Sequence, residues 1–250
     1  MKKIKVLKKG RIAIITINNP SKLNAMDSNL MAGLAKTVSD LDKNENISVI
    51  ILTGVGKSFI SGGDIREMST FNPKKAFDFA LHGKSIVNAI LNSRKAIMAA
   101  VNGYALGGGC EVTLACDIIV ASDKAIFGQP EVKLGLIPGF GGTQLLRSNL
   151  SLHKAKELVL RGNMINAKEA CQIGMVNHIA KDPIKKCMEI ANEIIINSPY
   201  AIKEAKKLLN NDLAKNFRKE SKVYAKCFSN RDSKEGIRAF LEKRKANFRR

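Results

Sequence analysis

The chain has no tryptophan and only three tyrosines, so aromatic platforms on which nucleic-acid bases could stack are not an evident feature. No apolar run approaches the roughly 18 residues needed to cross a bilayer. Met1 to Lys5 has no long apolar stretch behind it, so a secretory leader is not expected either. The cysteines are five: Cys110, Cys116, Cys171, Cys187 and Cys227. An odd number without metal or redox spacing argues against a disulfide framework and fits a reduced, cytoplasmic chain. The three histidines, His82, His153 and His178, have no partner at ligand spacing, so a metal site is not expected. Gly-x-Ser-x-Gly elbows, Walker loops and dinucleotide fingerprints are missing too, which removes the commonest nucleophile and nucleotide-phosphate signatures.

Acidic residues are scarce beside basic ones, 22 against 42, which leaves a net charge of +20. Such a surplus attracts phosphates, whether on a nucleotide-bearing small molecule, an RNA or an anionic membrane. The lysines are scattered through helical stretches and do not form one block, so a solvated basic surface accounts for them better than a nucleic-acid function. A chain of 250 residues is long enough for a substantial core, as one large domain or a domain with a small appendage.

Periodicity gives an α/β reading. Ile12 to Ile17 is a nearly continuous aliphatic run and predicts a strand. Asp27 caps a helix whose stripe is Leu30, Met31, Leu34, Val38 and Leu41. Val49 to Leu52 is a second buried strand, and strand–helix–strand order implies right-handed crossovers. A helix after Pro73 ends near Asn92, and Ala96 to Val101 is another buried strand. From Ser198-Pro199 onward the pattern is helical and basic. The last helix starts near Asp232, with Glu235 as the far member of a capping box, and Ile237, Phe240, Leu241 and Phe248 form one apolar face.

Two glycine turns follow strands: Ser61-Gly62-Gly63-Asp64, and Gly103 through Gly107-Gly108-Gly109. Glycine lets the backbone approach a ligand closely, and the first N–H groups of a helix have no partner within it. Gly63 and Gly108 are thus candidate donors to an oxygen on which charge develops, an arrangement worth roughly 3 kcal/mol per donor. Glu111 and Glu131 lie in otherwise apolar or glycine-rich stretches, where a pair of acids could give and take a proton. Taken alone, the Gly107 segment reads equally well as a tight packing turn with a solvated acid.

Longer motifs narrow this. Ser61 to Met68, Ala100 to Ala121, Phe127-Gly128-Gln129-Pro130-Glu131 through Gln144, and the tail Ala239 to Phe248 resemble, in order, those of the crotonase (enoyl-CoA hydratase) superfamily. The resemblance implies a crotonase-like spiral of strand–strand–helix (ββα) units over residues 1–195, with a helical trimerisation region over 196–250. It implies an oxyanion hole at the N–H groups of Gly63 and Gly108 for an acyl-CoA thioester. It also implies that Glu131 protonates the alpha carbon, that Glu111 orients and deprotonates water, and that Gly139 helps hold that water. Contacts to CoA fall on Lys22, Lys57, Ser61, Asp64, Ile65 and Arg66, with Lys243 reaching in from a neighbouring subunit. No metal or redox cofactor is called for, and a homotrimer or a hexamer of two stacked trimers is expected. Both glutamates together favour hydration, with double-bond isomerisation or other crotonase-type acyl-CoA chemistry as the alternative and RNA binding as a more distant one. Two departures stand out: Gly63 replaces the usual alanine, and Leu145 occupies the place of an arginine that normally follows the glutamine.

Overall fold

Aliphatic side chains on both faces of the central strands dictate a sheet covered on two sides. The computed structural model describes residues 3–210, 217–229 and 231–247; Phe248 lies outside them. In chain order the strands are β1 (Ile4–Lys9), β2 (Ile12–Ile17), β3 (Val49–Gly54), β4 (Ser58–Ile60) and β5 (Ala96–Val101). They continue with β6 (Tyr104–Leu106), β7 (Ile118–Ala121), β8 (Ile126–Gly128), β9 (Met164–Asn166) and β10 (His178–Ile179). The helices are α1 (Ser28–Lys43), α2 (Ile65–Met68), α3 (Pro73–Leu91), α4 (Gly108–Ala115), α5 (Gly142–Asn149) and α6 (Leu152–Arg161). After them come α7 (Ala167–Gln172), α8 (Pro183–Ile195), α9 (Pro199–Leu209), α10 (Phe217–Cys227) and α11 (Arg231–Leu241).

The strands sort into two sheets. The larger runs β1-β2-β3-β5-β7-β10, parallel except for the β1–β2 hairpin, and the smaller runs β4-β6-β8-β9. Successive strands alternate between sheets before a helix follows: β3 then β4, β5 then β6, β7 then β8. That repetition is the expected spiral of strand–strand–helix turns. Period-two alternation divides the large sheet. Ile15, Ile17, Ile50, Leu52, Ile97, Ala99 and Val101 face the main core, while Ile12, Ile14, Val49, Ile51, Met98 and Val120 face α8. Tyr224, Ala225, Phe228 and Ile237 join the main core, so α10 and α11 pack back onto the spiral.

Asp27 caps α1 through the Leu30 N–H, as its position in the sequence predicts. Glu235 departs from the capping-box reading: its carboxylate is taken by Arg238, Arg244 and the Asn247 N–H. Helix α11 begins at Arg231, so Asp232 lies inside it and cannot be the cap that Glu235 would pair with. Leu145 is fully buried in the main core, so an apolar side chain fills the place where the family pattern has a cation.

Helix α9 is tied down by a pair that links it to the base of β5. Lys206 Nζ donates to Asp117 Oδ2 at 2.8 Å and to the Lys95 carbonyl at 3.0 Å, and the Ile97 N–H donates to the same carboxylate oxygen at 2.7 Å. Burial pushes the Asp117 carboxyl up, and Lys206 opposes that shift. Lys206→Met is expected to lower stability by about 2 kcal/mol in urea titration, because it strands a carboxylate that keeps only 23% of its side chain exposed. Adding Asp117→Asn should recover most of that loss.

Candidate active site

Parallel pairing of β4 with β6 makes the two glycine turns leave the same end of the small sheet. Gly62 (φ +115°) and Gly107 (φ +51°) hold backbone conformations that side-chain-bearing residues rarely adopt. The turns touch: a Cβ added to Gly62 would lie 3.2 Å from the Leu106 carbonyl oxygen, and one on Gly107 would lie 4.0 Å from Gly62 Cα.

A single bridge orients the first donor. The Met26 N–H donates to the Gly62 carbonyl at 2.8 Å and the Asp64 N–H donates to the Met26 carbonyl at 2.9 Å. Alternation along the extended backbone then points the Gly63 N–H away from Met26. The Gly108 N–H is the first of α4, where no intrahelical acceptor exists. A Cβ on Gly63 would meet Met68 Sδ and Phe79 Cζ at 3.1 Å, so glycine in place of alanine relieves a tight contact and leaves the amide in position. The Phe140 ring occupies the notches left by Gly108 and Gly83, 2.4 and 2.1 Å from where their Cβ atoms would be.

Both acids converge on this turn. Glu111 lies in the first turn of α4 and is 1% exposed. Its Oε1 accepts from the Phe140 N–H at 2.8 Å and the Gly142 N–H at 2.6 Å. Gly142 is required there, because a Cβ would stand 2.8 Å from the same oxygen. Glu131 lies in a 3-10 turn over Pro130–Leu134, with Oε1 2.9 Å from where a Cβ of Gly107 would be. With its amide nitrogen turned toward the acid, Gln129 donates to Glu131 Oε1 and Oε2 at 3.0 and 3.1 Å. Two further groups lie within electrostatic reach of both acids. Burial first, then Glu131 and Glu111, push the Cys110 thiol far above its usual range, and burial followed by the same acids raises the Tyr224 phenol.

The remaining sequence-predicted residues fall into two groups. Lys22, Ser61, Asp64, Ile65 and Arg66 gather at the first turn. Lys22 Nζ donates to Asp64 Oδ2 at 2.5 Å, the Ser61 N–H donates to the Leu23 carbonyl, and the Arg66 N–H donates to Asp64 Oδ1. Burial disfavours the Asp64 charge, but Lys22 and the Arg66 and Glu67 N–H groups prevail and hold its carboxyl below the usual range. The loop is shaped by Asn24, which is buried with φ +59°, accepts from the Asn19 N–H and donates to the Val55 and Ser58 carbonyls. Lys57 lies apart, at the opposite end of β4 from the glycine turn, and Lys243 is exposed just past α11. Gly139 sits in the loop that grips Glu111, its Cα against the ring of Tyr224.

Gln129, the Phe140 and Gly142 amides, and Tyr224 are parts of this arrangement that sequence reasoning missed. Gln129, Phe140 and Gly142 lie inside the motif from Phe127 to Gln144 that carries the resemblance, but that motif assigned them no role, and nothing in the sequence pointed to Tyr224.

The sequence profile of the enoyl-CoA hydratase/isomerase family matches residues 8–250. The chain belongs to that family. Among its relatives, the short-chain-enoyl-CoA hydratase of Clostridium acetobutylicum is 40% identical over 245 residues, covering 95% of this chain and 94% of its own. The crotonyl-CoA hydratase of Syntrophomonas wolfei is 37% identical over 248 residues, with 96% and 95% covered. Of solved structures in the family, the enoyl-CoA hydratase of Bacillus anthracis superimposes with a TM-score of 0.82 at 30% identity, over 99% of each chain.

Proposed function

We propose that this protein is an enoyl-CoA hydratase that adds water across a trans-2-enoyl-CoA, of short chain, to give the 3-hydroxyacyl-CoA. The observation that carries the reading is the pair of touching glycine turns with two acids gathered around the second. The Gly63 and Gly108 N–H groups receive the thioester oxygen, whose charge grows as the enolate forms, so they stabilise the transition state more than the bound substrate. Glu111, fixed by two amides at one oxygen, takes a proton from water through the other as the C3–O bond forms. Glu131 gives its proton to C2, and proton transfer between the acids resets the pair. The Gly139 N–H helps hold the water.

CoA enters as part of the substrate, and the reaction calls for no metal or redox group. Lys22, Lys57 and Arg66 meet its phosphates, Ser61, Asp64 and Ile65 border it, and Lys243 of a neighbouring subunit reaches the nucleotide. The share of Lys22 held by Asp64 means that this cation contributes orientation more than free charge. Met26, Met68, Phe79 and Phe140 crowd the turns, which supports a short acyl group. Residues 196–250 assemble trimers, two of which stack as a hexamer; exposed Ile196, Tyr200, Leu208 and Leu209 support that reading. Five free cysteines fit a cytoplasmic setting.

Loss of crotonyl-CoA absorbance on adding the protein tests the proposal, with formation of the 3-hydroxyacyl product as the required result. A protein that leaves crotonyl-CoA intact but moves the double bond of a 3-enoyl-CoA would replace the hydratase reading with isomerisation.

A further inference from the structure

One layer of side chains separates the oxyanion turn from a cavity between α2 and α11. The cavity measures about 330 Å³, near the lower bound of about 300 Å³ for small-molecule pockets. Met68, Phe71, Phe228 and Ile237 form its apolar side, and exposed residues of α11 border it toward solvent. Met68 touches both spaces: it lines the cavity, and its Sδ lies 3.1 Å from where a Cβ of Gly63 would project. Phe79 stands beside it, with Cζ at the same distance from that point. Ring contacts then lead from the site to the cavity wall: Phe140 to Phe79 at 5.7 Å, Phe79 to Phe71 at 5.1 Å and Phe71 to Phe228 at 5.9 Å between centroids. The partition is thus apolar and one side chain thick. Met68 is its pliable member, an unbranched thioether at the end of the four-residue helix α2.

We propose that Met68 sets the acyl-chain limit of this enzyme. In place, it holds the site to short chains; shortened, it opens the cavity to the distal methylenes of a medium-chain acyl group. The inference rests on the hydratase reading of the site and specifies its substrate class. Lys22 and Arg66, which meet the CoA phosphates in that reading, are exposed. An acyl group whose thioester oxygen meets the Gly63 and Gly108 amides therefore carries its tail to the buried side. Phe79, Phe140 and Met68 are the walls at that side, and only Met68 has the cavity directly behind it. Each methylene taken from water into an apolar wall favours binding by up to about fourfold, so four of them support selectivity well above tenfold.

The test compares kcat/KM for crotonyl-CoA and trans-2-octenoyl-CoA in the full-length protein, because a ratio taken on one sample cancels any loss of folded enzyme. Met68→Ala should raise the octenoyl-to-crotonyl ratio about tenfold or more, chiefly through a lower KM for octenoyl-CoA. Adding Ile237→Trp, which fills the cavity from α11, should return the ratio to within about threefold of wild type. Met68→Val removes the same Sδ with a smaller loss of packing and should shift the ratio in the same direction by about threefold, which keeps the test open if the alanine variant does not fold. An unshifted ratio in a folded Met68 variant would overturn the proposal, and so would a raised ratio that Ile237→Trp leaves in place. Wild-type hydration of crotonyl-CoA, measured alongside, reports on the hydratase reading by itself.

Discussion

Glu131→Gln and Glu111→Gln should each slow crotonyl-CoA hydration by about 10²- to 10⁴-fold, with the folded state nearly intact. Glutamine matches glutamate in volume. At position 111 its amide oxygen can still accept from Phe140 and Gly142, so the loop that reaches over α4 stays in place. What disappears is the proton-accepting oxygen, replaced by an NH₂ group. Exchanging charge-assisted hydrogen bonds for neutral ones costs about 1 kcal/mol, small beside the kinetic effect. At position 131 the amide can neither deliver a proton to C2 nor take one back. The two acids act on one proton inventory, so their losses should not add: the double variant should fall less than about tenfold below the worse single one. Turnover measured by crotonyl-CoA absorbance, with circular dichroism and Tm as controls, decides this. An unaltered rate in either single variant would remove that residue from the chemistry.

How legible this site was depended on the range of each interaction. The strand from Ala96, the turn at Gly107 and the acid at Glu111 are contiguous, so local pattern revealed all three. The capping role of Asp27 is equally local, and its contact spans three residues. The second sheet was harder. Strands such as β4, β6 and β8 are three residues long, too short for a two-residue period to declare itself, and they take their form from pairing with one another. The grip on Glu111 comes from 29 and 31 residues away, and the cation on Asp64 from 42 residues before it. Such pairs exist only once the spiral has closed. Family resemblance supplied Glu131 and Gly139 their roles, but gave no hint of Gln129 beside the one or Tyr224 against the other. Those partners are chosen by packing, which one sequence does not display.

The second large effect concerns a residue with no functional group at all. Gly109→Ala is expected to reduce kcat by about 10²-fold or more and stability by about 1–3 kcal/mol. A Cβ at this position would stand 2.0 Å from the Ile60 carbonyl oxygen and 2.8 Å from its carbonyl carbon. Both obstacles belong to strand backbone, so they cannot swing aside as a flexible side chain would, and α4 has to move off β4. Gly109 directly follows Gly108, and Ile60 stands three residues before Gly63. The displacement therefore falls between the two amides that share one oxygen, and a shift of about 1 Å there is enough to cost two orders of magnitude. Gly174→Ala provides the comparison. Nothing lies within 4 Å of its added Cβ, and its φ of +80° alone makes the substitution unfavourable. That variant should lose about 1 kcal/mol and keep its kcat. Thermal melts and turnover measured well below both midpoints separate the cases. A Gly109→Ala protein that is destabilised yet fully active would mean that the oxyanion donors do not depend on the seating of α4 against β4. The glycine run would then be a packing device, and the acids would need their electrostatic partner elsewhere.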